Sequence, residues 1–389
     1  MGTVSSTDSI FAAIEVLRVD IRSRGEEIAR ERRLPADLVV ALQRAGVFRM
    51  PMPRTWGGPE VSLVDQIRII EILSAADPAV GWCCMIGSDA GFYSAFFDDD
   101  AARELWTDID DITAGWLFPA GRARRVDGGY SISGRWSFGS CSLHANVIVG
   151  GCLAVDDAGV PEFGVGGPVV RIAVARAEQF EILDTWYTTG LAGSGSNDYQ
   201  CSDLFVPEKH TFSVFEPPVR EGALYALRGA FFANMSGVPL GLARRVIDET
   251  IAIVRTKLVV PEQTPMIDQP RVKAAVADAE MHLGAARAYA YGAVETVSAA
   301  LEAGVPVTQQ MRADLVLSRV NAFRTARAVA MQRVQLAGTQ AIYSTSVLDR
   351  LLRDAITIGQ HVVAGPAMVE IAGGLAMGIE PTGMMAGLV

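Results

Sequence analysis

The feature that most constrains the fold is that the pattern of apolar residues changes twice along the chain. Residues 10–114 place apolar side chains at helical spacing, whereas residues 115–222 contain short apolar runs separated by turn residues. The chain then becomes Ala-rich and amphipathic again, in four long segments at 223–257, 268–303, 307–340 and 344–375. The pattern predicts an α+β fold with a helical domain at 1–114, a β-barrel or β-sandwich at 115–222 and an antiparallel four-helix bundle at 223–389.

Local signals agree with this division. Ser6–Asp8 offer caps for a first helix, and Asp77 followed by Pro78 is typical of a helix start. The run Asp127-Gly128-Gly129 lies between two strand-like runs and predicts a β-hairpin. No internal repeat or low-complexity linker separates the three regions.

One short segment carries the most chemical information. Residues 134–146 read GRWSFGSCSLHAN, in which the aromatic Phe138 is followed by the hydroxyl residue Ser140 at the end of a strand-like stretch, and by His144 four residues later. This pattern is expected where the edge of a β-domain meets a flat, electron-accepting ring. The aromatic residue would cover one face of that ring, and the hydroxyl and backbone N–H groups would bind its polar edge. A plain sheet strand is the alternative interpretation.

Composition and charge exclude several classes of function. The formal net charge is −10 and no basic run occurs, which argues against binding to nucleic acid or to an anionic membrane surface. Five Cys without a C-x-x-C pair and four His without metal-ligand spacing indicate neither a disulfide framework nor a metal site. No apolar run approaches about 18 residues and the N-terminus has no signal-like apolar stretch, so we expect a cytoplasmic protein.

Four motifs resemble those of the acyl-CoA dehydrogenase family, and they follow that family's order over nearly the whole chain. They read GVFR…WGG at 46–58, ADPAVGW at 76–82, GLAGSGSND…LFVP at 190–207 and QLAGT…RDA at 335–355. The resemblance implies the family's fold, with an N-terminal helical domain, a central β-barrel domain and a C-terminal four-helix bundle.

A departure from the family pattern distinguishes two chemistries on this fold. Dehydrogenases of the family carry a catalytic glutamate after the RDA motif, where this chain has Val362 in a run without a carboxylate, IGQHVV. A valine cannot remove a proton from a substrate. The RDxxTxxQH run ending at His361, together with residues 134–140, resembles instead the two-component flavin-dependent monooxygenases built on this fold.

The resemblance implies an enzyme that hydroxylates a small, aromatic or polycyclic substrate with molecular oxygen through a flavin C4a-hydroperoxide. Reduced FMN or FAD would be supplied in trans by an NAD(P)H-dependent flavin reductase, and the enzyme would be a homotetramer. Two alternatives stay open. One is an acyl-thioester dehydrogenase with an unrecognised base, and the other is a non-catalytic homologue that binds a hydrophobic ligand.

Three residues would carry the chemistry under this resemblance. Ser140 would hydrogen-bond the flavin near its N5 or O4 atom. His361 would be the main catalytic group, which either deprotonates a phenol-like substrate or supplies a proton, since an imidazole titrates near neutral pH. His144 would contact the substrate, although Leu143 replaces the usual Asp before it and Cys141 the usual Gly. The alternatives are a strand Ser bonded to its own backbone, a structural His in a helix and a His that caps a turn.

The remaining candidates concern the walls of the site. Trp82 and Cys83 would line the substrate cavity, Trp186 would wall the flavin ring or the substrate, and Arg255 would hold the flavin phosphate by charge complementarity. Core packing, or for Arg255 a solvated helix end, is the alternative in each case. Further flavin contacts implied by the resemblance are Phe118, Pro119, Ala120 and Gly121 in a loop, Phe138, and Gln335 and Gly338 in a loop that reaches the flavin of a neighbouring subunit.

Overall fold

Helices form the N-terminal region of the computed structural model, which describes residues 6–164, 167–227 and 229–383. Ser6 caps the first helix, because its hydroxyl accepts the Ser9 N–H at 3.2 Å. Asp77 caps the fifth helix, because its carboxylate accepts the Ala79 N–H at 2.9 Å. The helices of this region are α1 (Thr7–Ser23), α2 (Gly25–Glu31), α3 (Ala36–Arg44), α4 (Leu63–Ala76), α5 (Pro78–Gly87), α6 (Ala90–Tyr93) and α7 (Asp99–Leu105).

Strands occupy the middle of the chain. They are β1 (Thr113–Val126), β2 (Gly129–Gly139), β3 (Val147–Val155), β4 (Phe163–Gly164), β5 (Gly167–Pro168), β6 (Val170–Arg176), β7 (Glu181–Leu183), β8 (Asn197–Pro207) and β9 (Thr211–Phe212). Seven of them form one mixed sheet in the order β7-β8-β2-β1-β3-β6-β9, while β4 and β5 pair only with each other. Within the large sheet β1 and β3 run parallel, and the other neighbours run antiparallel.

The sheet is open where the sequence predicts a β-barrel. Its edge strands among the described residues are β7 and β9, which do not pair with each other. Closure into a barrel requires the two edges to exchange backbone hydrogen bonds. The two edge strands are short, with three residues in β7 and two in β9.

The C-terminal region is helical again, and this order of helical, β and helical regions confirms the predicted fold class. A short pair of strands, β10 (Leu258–Val259) and β11 (Thr264–Pro265), interrupts it. The helices are α8 (Ala223–Ala226), α9 (Gly237–Thr256), α10 (Pro270–Glu302), α11 (Gln309–Ala337), α12 (Val347–Ile358) and α13 (Pro366–Ala376).

The last predicted bundle segment, 344–375, is two helices rather than one. Helix α12 ends at Ile358, and α13 begins at Pro366 after a short 3-10 turn at 362–364. A proline disfavours helical geometry in the residue before it, and Gly365 is accordingly extended with ψ of 167°. The break places His361 outside a helix, which corrects the prediction of a helical His.

One large apolar core runs through the N-terminal helices and the C-terminal bundle, where α4 packs on α9. A smaller core lies within the sheet region around Trp136, whose ring stacks on Tyr199 at 5.3 Å. Among the described residues, no helix combines the length and the apolar character needed to cross a bilayer.

Candidate active site

A cavity of about 560 Å³ lies where the N-terminal helices, the sheet and the segment after α12 meet. Its lining is rich in aromatic side chains and contains no Asp, Glu, Lys or Arg among the described residues. It brings together five of the residues that the sequence singles out, from four separate parts of the chain: Trp82, Phe138, Ser140, Trp186 and His361.

Ser140 is held in a chain of hydroxyl groups at the sheet side of the cavity. Its Oγ accepts the Trp82 indole N–H at 2.9 Å and lies 2.7 Å from the Ser196 hydroxyl. The Ser196 hydroxyl in turn lies 2.7 Å from that of Ser194. If Ser194 and Ser196 each donate toward Ser140, then the Ser140 oxygen is fully used as an acceptor and its own proton is left for a ligand in the cavity.

The backbone around Ser140 turns sharply at the end of β2. Phe138 and Cys141 both have positive φ, of 63° and 64°. Such values are uncommon for side chains other than Gly, and local strain of this kind is concentrated at functional sites. The turn leaves the Phe138 ring half exposed, where it packs against Trp116 at 5.5 Å and against Trp186 at 6.3 Å.

His361 lines the opposite side of the cavity. Its Nδ1 accepts the Val363 N–H at 3.3 Å, so the neutral ring carries its proton on Nε2. No hydrogen bond to Nε2 forms within the described part of the chain. The ring also makes edge contacts with Trp82 at 5.4 Å and Trp116 at 6.3 Å between centroids.

The environment of His361 keeps its ring uncharged. Burial, and to a lesser degree the positive charge of Arg319, lower the pKa of His361 to about 4. At neutral pH the ring is therefore a hydrogen-bond donor through Nε2 and does not carry a positive charge into the apolar cavity.

The segment 184–191, which carries Trp186, is attached to both neighbouring regions. On the sheet side, the Asn197 side-chain oxygen accepts the backbone N–H groups of Thr185 and Trp186, both at 3.0 Å. The Trp186 indole donates to the Leu191 carbonyl at 3.1 Å. These bonds fix the Trp186 ring at the cavity wall.

On the bundle side, helix α12 holds the same segment. The Asp354 carboxyl accepts the Leu191 N–H at 2.5 Å, and Arg353 donates to the Thr189 carbonyl at 2.7 Å. At Gly190 any side chain would collide with the Arg353 carbonyl, only 2.2 Å from the Cβ position. Helix α12 therefore positions one wall of the cavity through Asp354 and leads directly to His361.

Asp354 is a buried carboxyl in an unusual protonation state. Burial, reinforced by the nearby negative charge of Asp77, raises the pKa of Asp354 to about 7. The Leu191 N–H and the guanidinium groups of Arg350 and Arg353 oppose this shift. The sequence does not identify Asp354 and Ser196 as residues that support the cavity wall, because the RDA motif and the GSGS run do not reveal what their side chains contact.

A second cavity, of about 410 Å³, lies behind the segment 188–191. Its lining includes the charged residues Asp77, Arg350, Arg353 and Asp354 and contains none of the residues that the sequence predicts for the site.

Two other candidates lie near the cavity but do not line it. Cys83 is fully buried, with its thiol 3.6 Å from the Ser194 carbonyl. His144 lies on a 3-10 turn, and its Nε2 is buried without a hydrogen-bond partner in the described residues. Burial, followed by the charge of Arg33, lowers the pKa of His144 to about 4. The structure therefore does not bring His144 and His361 together at one cavity.

The predicted flavin loop at Phe118–Gly121 is part of β1. The pairing of β1 with β3 shifts register between Trp116 and Gly121, so these residues form an irregularity within a strand rather than a loop. Of the four, only Phe118 reaches a cavity, a small side pocket off the large one.

Three predicted flavin contacts lie outside both cavities. Arg255 is exposed in the last turn of α9. Gln335 and Gly338 are exposed at the end of α11, where Gly338 has a positive φ of 62°. Within a single chain, none of these residues meets the group of Ser140 and His361.

Family models match both helical regions of the chain. Residues 12–104 match the acyl-CoA dehydrogenase N-terminal domain, and residues 233–366 match the acyl-CoA dehydrogenase C-terminal domain.

Relatives of known activity match nearly the whole chain. An indole-3-acetate monooxygenase of Pseudomonas putida is 32% identical over 373 residues, which cover 95% of this chain and 94% of the relative. The oxygenase component of an FADH2-dependent resorcinol hydroxylase from Rhizobium sp. is 28% identical, covering 93% of this chain and 92% of the relative.

Solved structures agree in fold. The crystal structure of the HsaA monooxygenase from M. tuberculosis superposes with a TM-score of 0.88 at 25% identity, covering 98% of this chain and 100% of that chain. XiaF from Streptomyces sp., solved in complex with FADH2 and glycerol, gives a TM-score of 0.88 at 20% identity, covering 96% of each chain. At that identity the second likeness concerns the fold alone.

Proposed function

Because the chain belongs to the acyl-CoA dehydrogenase family, and within it to the flavin-dependent monooxygenases, we propose that it hydroxylates a small aromatic substrate in the large cavity. Molecular oxygen would supply the transferred atom, and a separate NAD(P)H-dependent flavin reductase would supply reduced FMN or FAD. The observation that carries the proposal is the presence of Ser140 and His361 in one otherwise apolar cavity. The names of two relatives support the substrate class, since one acts on indole-3-acetate and the other on resorcinol.

The residues of the cavity fit the ring system of a flavin. A volume of about 560 Å³ suits a flat tricyclic ring, and aromatic side chains offer the apolar surfaces that its faces need. Ser140 and Ser196 offer polar groups for its nitrogen- and oxygen-bearing edge. Since no Lys or Arg among the described residues lines the cavity, the ring rather than the phosphate would be held there. Binding of the ring alone suits a flavin that a separate reductase supplies and that leaves the site again after the reaction.

Ser140 would orient the polar edge of the ring. When the Ser196 hydroxyl donates to it, the Ser140 oxygen is occupied by that hydroxyl and by the Trp82 N–H, and its own proton is left for an acceptor in the cavity. Phe138 and Trp186 would pack beside the ring. When bound there in reduced form, the flavin supplies the electrons that activate molecular oxygen. A hydroxyl donor in an apolar cavity is suited to stabilise developing negative charge.

His361 would serve the substrate as a donor. Its Nδ1 is already an acceptor for Val363, and its Nε2 holds a proton in the neutral ring. The neutral ring can therefore donate a hydrogen bond through Nε2 but has no free nitrogen to accept the proton of a phenol, so a hydrogen-bonding role has more support than deprotonation of a phenol. The indole rings of Trp82 and Trp116 at its edges would exclude water from this side of the cavity.

Val362 supports monooxygenation over the oxidation of an acyl thioester. It lines the cavity at the position where the family's dehydrogenases carry their glutamate, and no carboxylate among the described residues lines the same cavity. Removal of an α-proton requires a base within hydrogen-bonding reach.

We further propose a cytoplasmic homotetramer. Gln335 and Gly338 are exposed, so they are available for the predicted contact with the flavin of a neighbouring subunit. Arg255, exposed as well, stays a candidate for the flavin phosphate in such an assembly.

The test is oxygen incorporation under a supply of reduced flavin. The purified protein is mixed with NADH, a flavin reductase, FMN or FAD, and indole-3-acetate or resorcinol under 18O2, and products are analysed by mass spectrometry. We expect a product that carries one 18O atom and that requires the protein and, with NADH as the source of electrons, the reductase. A control with chemically reduced flavin should give the same product without the reductase.

Two results would contradict the proposal. One is tightly bound oxidised flavin that an acyl-CoA reduces without any reductase, which would indicate a dehydrogenase. The other is failure to bind either reduced flavin, which would indicate a non-catalytic homologue.

A further inference from the structure

A side pocket of about 50 Å³ lies against the large cavity beside His361. Trp116, His361 and Val362 line both spaces, so the two adjoin each other. The far walls of the side pocket come from α6 and from the 3-10 segment 230–236, which contributes Phe231 and Phe232. The pocket is large enough for only a few non-hydrogen atoms, which means that it admits the edge of a ring rather than a whole ring.

Asp89 is the acidic residue of this pocket, and one of its oxygens has no partner. The side chain is 3% exposed, and Oδ1 forms no hydrogen bond with the described part of the protein. The other oxygen, Oδ2, accepts the Tyr93 hydroxyl at 3.3 Å. Asp89 stands at the N-cap position of α6, but its side chain makes no capping hydrogen bond. Helix capping, the usual structural role for an Asp at this position, therefore does not account for it.

A comparison with another buried carboxyl shows how unusual Asp89 is. Asp354 accepts a backbone N–H and lies near Arg350 and Arg353. Among the described residues, no Lys or Arg lines the pocket around Asp89, and burial raises the pKa of Asp89 well above its usual value. A buried polar atom without a partner destabilises the folded protein. Native proteins keep such groups rarely, and a ligand that completes the hydrogen bond is one reason to keep one.

We propose that Asp89 and Tyr93 form a recognition subsite for a hydrogen-bond donor carried on the edge of the aromatic substrate. Because Oδ2 accepts the Tyr93 hydroxyl, Oδ1 is the oxygen left to accept a ring N–H or O–H. An indole-type N–H and a phenol-type O–H both supply this chemistry. The proposal rests on the proposed function insofar as the large cavity is the substrate cavity.

The subsite selects for a donor at one position of the ring. A substrate with an N–H or O–H there pairs Oδ1, whereas an isostere without the donor leaves Oδ1 buried and unpaired. Enzymes discriminate best between ligands of this kind, because the site's own polar atom carries the penalty. We expect a difference of about tenfold or more in affinity, equivalent to one buried hydrogen bond.

The experiment measures dissociation constants for two pairs of nearly isosteric ligands by equilibrium dialysis. Indole is compared with benzofuran, and phenol with toluene, on the full-length protein with saturating reduced FMN under anaerobic conditions and again without flavin. The pair that shows discrimination identifies the kind of donor. Equal affinity within both pairs would overturn the proposal.

Variants locate the discrimination on Asp89. In Asp89→Leu the preference should fall to less than about threefold, and in Tyr93→Phe it should weaken, since Oδ2 loses its partner. Tyr225→Phe is the matched control, because Tyr225 is another buried tyrosine and its hydroxyl donates to the Pro51 carbonyl away from the pocket. Discrimination that survives unchanged in Asp89→Leu would overturn the proposal.

Stability separates recognition from a role in folding. Because Asp89 pairs only weakly within the protein, we expect Asp89→Leu to melt at a temperature equal to or above that of the wild type. If Asp89→Leu does not fold, the smaller Asp89→Val takes its place. Failure of both to fold would assign the carboxyl to the fold and overturn the subsite.

The result is distinguishable from that of the proposed function. Discrimination by Asp89 without 18O incorporation would keep the subsite and reject the monooxygenase reaction on these substrates. Incorporation of 18O without discrimination would reject the subsite alone.

Discussion

The two walls of the large cavity are built in different ways. The sheet wall, formed by Phe138, Ser140 and Ser196, holds its hydroxyl groups in a continuous chain of hydrogen bonds. The bundle wall, residues 356–362, presents His361 as the one titratable side chain among the described residues that line the cavity. A single 3.3 Å hydrogen bond from the Val363 N–H fixes its ring.

From this difference we infer that the sheet wall orients the flavin ring, whereas the bundle wall takes part in the reaction. A chain of hydroxyl groups can rearrange when one member is lost, since the remaining hydroxyls and water can replace its hydrogen bonds. No second titratable group among the described residues lines the large cavity to replace His361. Variants of the bundle wall should therefore affect the reaction strongly, whereas variants of the sheet wall should affect mainly the affinity for the flavin ring.

The largest effect is expected for His361→Phe. Removal of the Nε2–H donor should lower formation of hydroxylated product by at least about 100-fold, with hydrogen peroxide released instead. Affinity for reduced flavin should change by less than about threefold, because Phe preserves the apolar ring. Product and peroxide are quantified in parallel, with His210→Gln as control, since His210 pairs with Glu104 and lines neither cavity. Full product formation in His361→Phe would contradict the proposed difference in function between the two walls.

Asp354, which joins helix α12 to the segment 184–191, should make the free energy of unfolding depend on pH. The pKa of Asp354 is raised to about 7 in the folded protein, so folding favours the protonated carboxyl. The wild type should therefore lose stability relative to Asp354→Asn as the pH rises from about 4 through 7, by at most about 4 kcal/mol. Denaturant unfolding of both proteins at about pH 5 and pH 8 measures this difference. A difference that is constant with pH would mean that this carboxyl titrates normally.

A smaller effect is expected for Ser140→Ala. Loss of one buried donor should weaken binding of reduced flavin by about tenfold. Fluorescence or absorbance titration under anaerobic conditions measures the dissociation constant. The matched control is Ser142→Ala, because the Ser142 hydroxyl is buried nearby without a partner in the described residues and lines neither cavity. Equal dissociation constants for the two variants would remove Ser140 from the flavin site.

The smallest effect is expected at the far end of the hydroxyl chain. Ser194→Ala leaves the bond between Ser140 and Ser196 in place, so flavin affinity should fall by no more than about threefold. The same titration applies. A loss of affinity as large as that of Ser140→Ala would mean that the three hydroxyl groups are strongly coupled, so that removing any one of them disrupts the whole hydrogen-bonded chain.

The sheet wall is largely predictable from sequence, because its signal is contiguous. Phe138 and Ser140 lie two positions apart at the end of a strand, and the turn that presents them is local. Trp82 is predicted from an apolar helix, and its indole N–H does reach Ser140. What sequence cannot give is Ser196, whose position depends on the pairing of β2 with β8 across more than fifty residues.

The bundle wall is predictable in identity but not in conformation. His361 is identified from a motif, yet the periodicity of apolar residues predicts one continuous helix over 344–375. Gly365 followed by Pro366 is the signal for the break, since Pro at a first helical position marks a new start. The hydrogen bond between Asp354 and the Leu191 N–H and the unpaired oxygen of Asp89 both depend on tertiary contacts. The spacing of residues along the chain does not predict such contacts.

Helix α12 has a consequence for how this protein can change in evolution. Asp354 grips the segment at Leu191, and His361 follows only seven positions later. A one-residue insertion or deletion within α12, after Asp354, would rotate the downstream chain by about 100° and shift it by about 1.5 Å along the axis. The Asp354 carboxyl could not then reach the Leu191 N–H while the His361 imidazole still lines the large cavity. We therefore expect substitutions to accumulate in α12 while its length stays fixed, and insertions to accumulate in surface turns such as residues 156–162.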